Sequence, residues 1–329
     1  MIINIFITGS LQQLWSAINT QQIIVLLPLF NVLMPANAAY FFSFIMLIAS
    51  FDIFPVEEYY DDWFGMEPVD PLDQNFDSLG FESMYFMHNL GSFMIAVVLF
   101  PVFVLFYYSL FLCKKSVRAM ATQEYVQRKI FWSHSIRTLY ETYSMICICA
   151  MINSMHLRFN NFGAALSSIM AISMGVLCFA LPFRILQILC SKFDTLNETK
   201  VKESIGELYV ELNLEGGKMV LLYPFFFFLR RFLLTVTIIY QDKLIWQVGC
   251  LAAQVIAVVI LIGRVDVFAD KNKYRVETFN EVIIMMMLYL TMCFSDFVPE
   301  PTTRETVGIW SCCSVGMHLF VNLLVLFLK

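Results

Sequence analysis

The sequence predicts an all-α fold, a polytopic bundle of about eight or nine membrane-spanning helices with one amphipathic cytosolic helix. Hydrophobic residues make up 59% of the 329 residues and charged residues only 14%, whereas a soluble domain carries about a quarter charged residues. Stretches of roughly 20 mainly apolar residues, the length that crosses a bilayer as a helix, recur along the chain. A β-barrel would need alternating strands of about ten residues, and the sequence contains no such pattern.

The apolar stretches place the spans. From residue 84 onward they lie near 84–113, 130–152, 163–190, 220–241, 244–263, 279–298 and 308–328, and two more lie upstream at 1–18 and 36–52. Residues 19–35 predict a broken or interfacial segment, because Pro28 and Pro35 prevent a long regular helix. Residues 1–18 lack a charged leader and a small-residue cleavage site, which favours a first membrane helix over a removed signal peptide.

These spans predict a single membrane domain over residues 1–329. Its parts are N-terminal hairpin-like spans (1–52), an acidic extracytoplasmic loop (53–83), three spans (84–190), an amphipathic segment (191–219) and four C-terminal spans (220–329).

Charge sets the expected orientation of this domain. Residues 52–82 carry ten carboxylates and no base, whereas residues 114–129 carry five bases and one acid. Because basic loops stay cytoplasmic, we expect 52–82 outside and the C-terminus in the cytosol. The expected location is the plasma membrane or another cellular membrane.

The segment 191–219 predicts an amphipathic helix over residues 198–215. Four apolar residues recur there at helical spacing, with charged residues on the other face: Val201, Ile205, Leu208 and Leu212. Thr195 and Glu198 have the spacing of a capping box. We expect the helix to lie at the inner face, docked on the protein's own helices.

The acidic loop allows two interpretations. Asp73, Asn75 and Asp77 alternate as at the start of an EF-hand calcium loop, but Ser78 stands where glycine is needed and Met84 where the closing glutamate belongs. The interpretations are weak calcium binding and a solvated acidic cap.

Charged residues inside the spans form the candidate site. Arg230 and Arg231 lie at the middle of the span 220–241, and adjacent helix positions point about 100° apart. In the span 130–152, Arg137 and Glu141 share one helical face, which His134 extends. A polar stripe facing lipid is costly, so we expect these residues to face other helices or water.

Two hypotheses follow for this intramembrane polar network of His134, Arg137, Glu141, Arg230 and Arg231. It is either a structural ion-pair network or a direct part of moving an ion, a lipid headgroup or an anionic solute. In the structural case we expect Arg230 or Arg231 to approach Glu141 or a cluster of carbonyl groups. Glu141 is the only acid near the middle of a predicted span, since Glu281 lies near the end of the span 279–298. A voltage sensor is not indicated, because no arginine recurs at every third position.

Three stretches carry a resemblance to a known family. They are "GSLQQLWSAINTQQIIVLLPLFNVLMPANA", "IGELYVELNLEGGKMVLLYPFFFFLRRFLL" and "VETFNEVIIMMMLYLTMCFSDFVPEP". The chain resembles the C-terminal membrane region of large ciliate-type protozoan surface proteins, which is TRP-like or polycystin-like. The resemblance implies a TRP-like bundle. Such proteins commonly carry a cysteine-rich ectodomain, which we expect to be missing here because Met1 directly precedes the first span.

One feature of the sequence argues against a cation channel of the six-helix type. Six-helix cation channels place a pore helix and filter between their last two spans, but here only residues 299–307, "PEPTTRETV", join them. If ions move, we expect another path, such as the polar face around Glu141.

The sequence therefore predicts a bundle for ion, small-solute or lipid permeation, with a non-transporting anchor or structural subunit as the alternative. An enzyme is not predicted: the four histidines (88, 134, 156 and 318) lie in separate segments, and no P-loop, GxGxxG or GxSxG motif is present. We expect no cofactor, metal or nucleic acid. The expected partners are membrane lipids, and other membrane-protein subunits or a second copy of the chain stay open as partners.

Overall fold

The computed structural model describes residues 15–49, 62–67, 69–112, 132 and 135–327. Within these ranges the chain forms helices and turns and no β-strand. A first helical stretch covers residues 15–24. The helices that follow are α1 (Ala36–Ala49), α2 (Gln74–Ser78), α3 (Gly91–Leu112), α4 (Ser135–Ser154), α5 (Phe162–Ser191), α6 (Thr199–Ile205), α7 (Leu222–Tyr240), α8 (Leu244–Arg264), α9 (Lys271–Met292) and α10 (Pro301–Phe327).

Four helical stretches in the described part of the chain are long and apolar enough to cross a membrane. They are Phe162–Ser191, Lys218–Tyr240, Leu244–Arg264 and Pro301–Phe327. The predicted all-α, membrane-embedded architecture is confirmed at this level. The full number of eight or nine crossings stays a prediction.

The chain divides into two compact units. The first comprises Met1–Ser50, Val69–Met84 and Arg230–Lys329, and the second comprises Phe51–Pro68 and Tyr85–Leu229. The division falls inside α7, whose residues from Arg230 onward belong to the first unit. The organisation as a single membrane domain stays a prediction.

The first unit combines helices that are neighbours in sequence with a contact between its N-terminal and C-terminal helices. α8 packs on α9, α9 on α10, and α1 on α10. Gly308 allows the last contact: the side-chain amide of Asn37 lies over it and donates to the Glu305 carbonyl at 2.9 Å. A Cβ at position 308 would lie 2.6 Å from the Asn37 amide oxygen.

The segment 19–35 is broken as predicted. The helix over 15–24 gives way to a 3₁₀ turn at Leu27–Leu29 that contains Pro28, and α1 begins only after Pro35. The apolar side chains of residues 23–30 are buried, so this stretch belongs to the core of the first unit.

The second unit centres on the pairing of α4 with α5. Asn153 near the end of α4 accepts hydrogen bonds from the Phe86 N–H at 3.2 Å and the Ser167 hydroxyl at 2.9 Å. Deeper in the pair, the Tyr143 hydroxyl donates to the Cys178 carbonyl at 2.8 Å. These bonds hold polar groups inside an otherwise apolar interface.

The predicted single helix over 198–215 is wrong in its extent. α6 ends at Ile205, and short 3₁₀ turns at Gly206–Leu208 and Leu214–Gly216 continue the segment. Glycine is a weak helix former, and Gly206 stands where the α-helix ends. The predicted capping box is also wrong, because Glu198 caps α6 without a side-chain hydrogen bond and the Thr195 hydroxyl donates to the Lys192 carbonyl.

The apolar residues of this segment are nevertheless turned inward. Ile205, Leu208 and Leu212 are buried, and Val201 is half-buried. The Tyr209 hydroxyl donates to the Leu196 carbonyl at 2.7 Å, and burial raises the pKa of this phenol. The segment folds as a compact unit of turns that packs against α4.

The last two helices begin earlier than predicted. The Asp270 side chain accepts from the Asn272 N–H and starts α9 at Lys271, eight residues before the predicted span 279–298. Pro301 is the first residue of α10, a position that suits its fixed φ, whereas the predicted span began at 308. The connection between the two helices is therefore residues 293–300.

Candidate functional site

The two mid-span arginines have separate partners in the first unit. Arg230 on α7 places Nη1 2.6 Å from both carboxylate oxygens of Glu281 on α9. Arg231 donates through Nη2 to the backbone carbonyl of Asn19 at 2.8 Å. Arg230 is 8% exposed, Arg231 1% and Glu281 3%. The divergence of two adjacent helix positions explains why the guanidinium groups reach different neighbours.

The expected partner of Arg230 was wrong. Glu141 is the only acid near the middle of a predicted span, because the predicted span 279–298 places Glu281 near its end. With α9 starting at Lys271, Glu281 lies in the middle of that helix and is buried. The contact of Arg231 with a backbone carbonyl agrees with the expectation that carbonyl groups also receive these charges.

A chain of hydrogen-bonded side chains lies in the same unit, and we call it the polar chain. Lys273 pairs with Glu277 one turn later on α9 at 2.8 Å. The Ser16 hydroxyl donates to Glu277 at 2.6 Å, and the Asn280 amide donates to the Ser16 oxygen at 3.2 Å. Asn280 thus links the acidic end of the polar chain to α10.

On α10 the polar chain continues through His318. Its Nε2 lies 3.0 Å from the Asn280 oxygen, and its Nδ1 lies 2.6 Å from Nε2 of Gln21. Asn322, one turn further on, donates to the same Asn280 oxygen at 3.1 Å and to the His318 carbonyl at 2.9 Å. Three helical stretches, residues 15–24, α9 and α10, therefore contribute to one connected set.

The central residues of the polar chain are buried. His318 is fully buried, and Asn280 and Asn322 are 1% and 2% exposed. A buried polar group without a hydrogen-bond partner costs free energy, and here most of the groups satisfy each other. The arrangement is a polar interior within a set of otherwise apolar helices.

The polar chain was not predicted, although the sequence contains a signal for it. One face of α10 carries polar residues at three- and four-residue intervals: Ser311, Ser314, His318 and Asn322. On α9, Lys273, Glu277 and Glu281 follow each other at intervals of four. What the sequence could not supply is that these two faces meet.

In the second unit, Arg137 has a partner that was not expected. Its Nε lies 2.9 Å from the Glu207 carboxylate in the turn that follows α6, and both side chains are about one quarter exposed. Glu141 lies one turn beyond Arg137 on α4 and is half-buried. His134, the third predicted residue of this stripe, lies outside the described residues.

The residues of the acidic loop make separate contacts. The Asp73 carboxylate accepts from the Asn75 and Phe76 N–H groups and caps α2. The Asn75 amide donates to the Val32 carbonyl at 3.2 Å, and Asp77 is exposed. Within the described residues, no group of three or more His, Cys, Asp or Glu side chains is arranged to hold a metal ion.

Comparison with known proteins adds no relative: no protein-family model, no curated protein and no solved structure matches this chain.

Proposed function

We propose that this chain is a multipass membrane transport protein that lets ions or small polar solutes cross through the interior of its first unit. The observation that carries the proposal is the polar chain, which starts at Lys273 near the beginning of α9 and ends at Asn322 on α10. Eight or nine crossings belong to the same proposal. The predicted spans 1–18 and 36–52, together with α3, α4 and α9, would then cross in addition to the four long apolar helices.

Charge is costly in a low-dielectric interior. An ionised side chain at the centre of a membrane helix costs at least about 2.5–3.5 kcal/mol on insertion scales. Among the described residues of the first unit, four charged side chains are buried: Arg230, Arg231, Glu277 and Glu281. Replacing a buried ion pair by apolar groups is often neutral or stabilising. Apolar side chains at these positions would hold the helices together equally well. The presence of buried charges therefore favours a role in permeation over a purely structural one.

The route differs from a pore between the last two helices. The resemblance to TRP-like membrane regions supports transport, but the connection 293–300 is too short for a pore helix and a filter. The polar chain is the alternative route. It is closed in this conformation, since Asn280 and His318 are at most 1% exposed. Transport through it requires a conformation in which water reaches these side chains.

The proposed orientation puts the acidic loop 52–82 outside and residues 114–129, 191–219 and 264–278 in the cytosol, since positive charge marks the inside. Cysteines introduced at Ser78 and Lys200, both exposed, are expected to react with an impermeant reagent from opposite sides of sealed vesicles. Each site is compared with the parent chain to subtract its own cysteines. Reaction of both sites from the same side would contradict this orientation.

A non-transporting anchor or structural subunit is the second candidate function. The observation in its favour is the Arg230–Glu281 pair, in which two buried charges neutralise each other at 2.6 Å. A pair of this kind can serve as a structural contact between α7 and α9. The anchor would be recognised by the absence of flux and by association with other membrane-protein subunits or a second copy.

Flux measurements on the purified full chain in liposomes test transport. We expect uptake of K⁺, Na⁺ or protons above that of empty liposomes, and at least a tenfold reduction for Asn280→Leu, which interrupts the polar chain. Thr278→Val is the matched control, because its hydroxyl donates only within α9, to the Tyr274 carbonyl. Flux equal to empty liposomes for all three ions, from protein that is folded and inserted, would support the anchor instead.

A further inference from the structure

The protonation of His318 can be worked out from its neighbours. The Ser16 hydroxyl has one proton and donates it to Glu277, so its oxygen must accept from Asn280. The nitrogen of the Asn280 amide therefore faces Ser16, and its oxygen faces His318. Because the Asn280 oxygen can only accept a hydrogen bond, Nε2 of His318 must carry a proton. One end of the imidazole is thus fixed as a donor.

The other end of the ring contacts an amide that can face it either way. Gln21 places its nitrogen 2.6 Å from Nδ1, while its oxygen, although buried, has no hydrogen-bond partner among the described residues. A separation of 2.6 Å is short for a neutral N–H donor, whose usual distance is about 2.9–3.0 Å. It is closer to a charge-assisted bond to oxygen, at about 2.7–2.9 Å.

Rotating the Gln21 amide by 180° gives its oxygen a partner and accounts for the short separation. The exchange of oxygen and nitrogen hardly changes the shape of the side chain. The oxygen then accepts from Nδ1, which must carry a proton, and the amide nitrogen takes the position in which the oxygen had no partner. With Nε2 already a donor, the ring is then an imidazolium ion.

The charges around the ring are few. Helical stretch 15–24 and α1 carry no charged side chain, and neither do residues 308–327 of α10. Of the five charged residues on α9, Lys271 and Arg275 are exposed. Glu277 reaches His318 through Ser16 and Asn280, Lys273 pairs with Glu277, and Glu281 pairs with Arg230. Burial opposes a charge on the ring and the Glu277 carboxylate favours it. The Phe279 ring lies nearly parallel to the imidazole, with 6.3 Å between the two ring centroids.

We propose that His318 is a proton-binding site inside the helix bundle, and that the Gln21 amide rotates between the two protonation states. In the neutral state the Gln21 nitrogen donates to Nδ1. When a proton from water binds Nδ1, the Gln21 oxygen accepts it. Gln21 and His318 are hydrogen-bonded to each other in both states, so the ring changes charge without losing this contact. The site does not depend on whether the chain moves a solute.

Ring ¹⁵N spectra of the full chain in lipid nanodiscs, recorded from pH 8 to pH 4.5, test the proposal directly. The expected result is one histidine that changes from a single protonated nitrogen to two. A chain with His88, His134 and His156 replaced by Gln assigns the signal by elimination, and His318→Gln removes it. A ring that keeps an unprotonated Nδ1 down to pH 4.5 in folded protein would overturn the proposal.

Substitutions of Gln21 test the rotating amide. Gln21→Glu supplies a stronger acceptor and is expected to raise the proton affinity of His318 at least tenfold, whereas Gln21→Leu is expected to lower it about tenfold. Gln254→Leu on α8 is the matched control and should leave the midpoint unchanged. Equal midpoints for all three variants would show that Gln21 has no part in proton binding. Because the readout is the ring itself, absence of flux would leave this result unaffected.

Discussion

Replacing Glu281 by methionine is expected to lower the free energy of unfolding of the full chain by about 3–5 kcal/mol, because the change leaves Arg230 charged and buried without its carboxylate. Both residues are at least 92% buried and bonded through two contacts of 2.6 Å. The measurement is denaturant-induced unfolding of the purified protein in detergent, followed by a fluorescence signal.

The double variant Arg230→Met with Glu281→Met tests whether the unpaired charge of Arg230 causes the loss of stability in Glu281→Met. An apolar pair of similar volume removes both charges, so we expect it to recover most of the stability lost by Glu281→Met. Asp296→Asn is the control, since Asp296 is fully exposed and 3.8 Å from Arg304, and such surface pairs contribute about 0–1 kcal/mol. Losses that add in the double variant would mean that the two positions are not coupled.

Replacing Leu208 by aspartate is expected to detach the segment between α5 and α7. Leu208 is 9% exposed, and a carboxylate there would be buried without a partner. The side chains of Lys200, Lys202 and Lys218 are already exposed, so detachment should act by freeing the backbone around them, and we expect limited trypsin cleavage in this segment to be at least tenfold faster. Val210→Asp is the matched control, because Val210 is 47% exposed and two residues away. Native protease resistance in Leu208→Asp would contradict the docking of this segment.

Helices formed by apolar stretches long enough to cross a bilayer could be predicted from the sequence. The span 163–190 agrees with α5, and 244–263 with α8, because each stretch is long and apolar and has clear polar ends. The start of α9 could not be read in this way. Its first turns are polar, and only the Asp270 cap and the burial of Glu277 and Glu281 place them inside the bundle.

The sequence predicts that the two mid-span arginines meet polar groups, but it does not predict which groups these are. Two adjacent arginines in a run of Phe and Leu had to meet polar groups, and they do, at Glu281 and at the Asn19 carbonyl. Which groups those would be depends on how separate helices meet, and helical periodicity within one stretch carries no information on that. The same reason explains why Ser16, Asn280 and His318, more than 250 positions apart at the extremes, were not recognised as one set.

Water access to the polar chain is the most direct test of the proposal that solutes cross through the first unit. In a cysteine-free background, Ser16→Cys places a thiol in the polar chain at a position that is 5% exposed. Ser78→Cys, exposed, and Ala171→Cys, 1% exposed, give the upper and lower reference rates. If solutes cross through the first unit, we expect a small cationic thiol reagent in water to modify Ser16→Cys at least tenfold faster than Ala171→Cys. Modification of Ser16→Cys no faster than Ala171→Cys, while Ser78→Cys reacts fully, would contradict it.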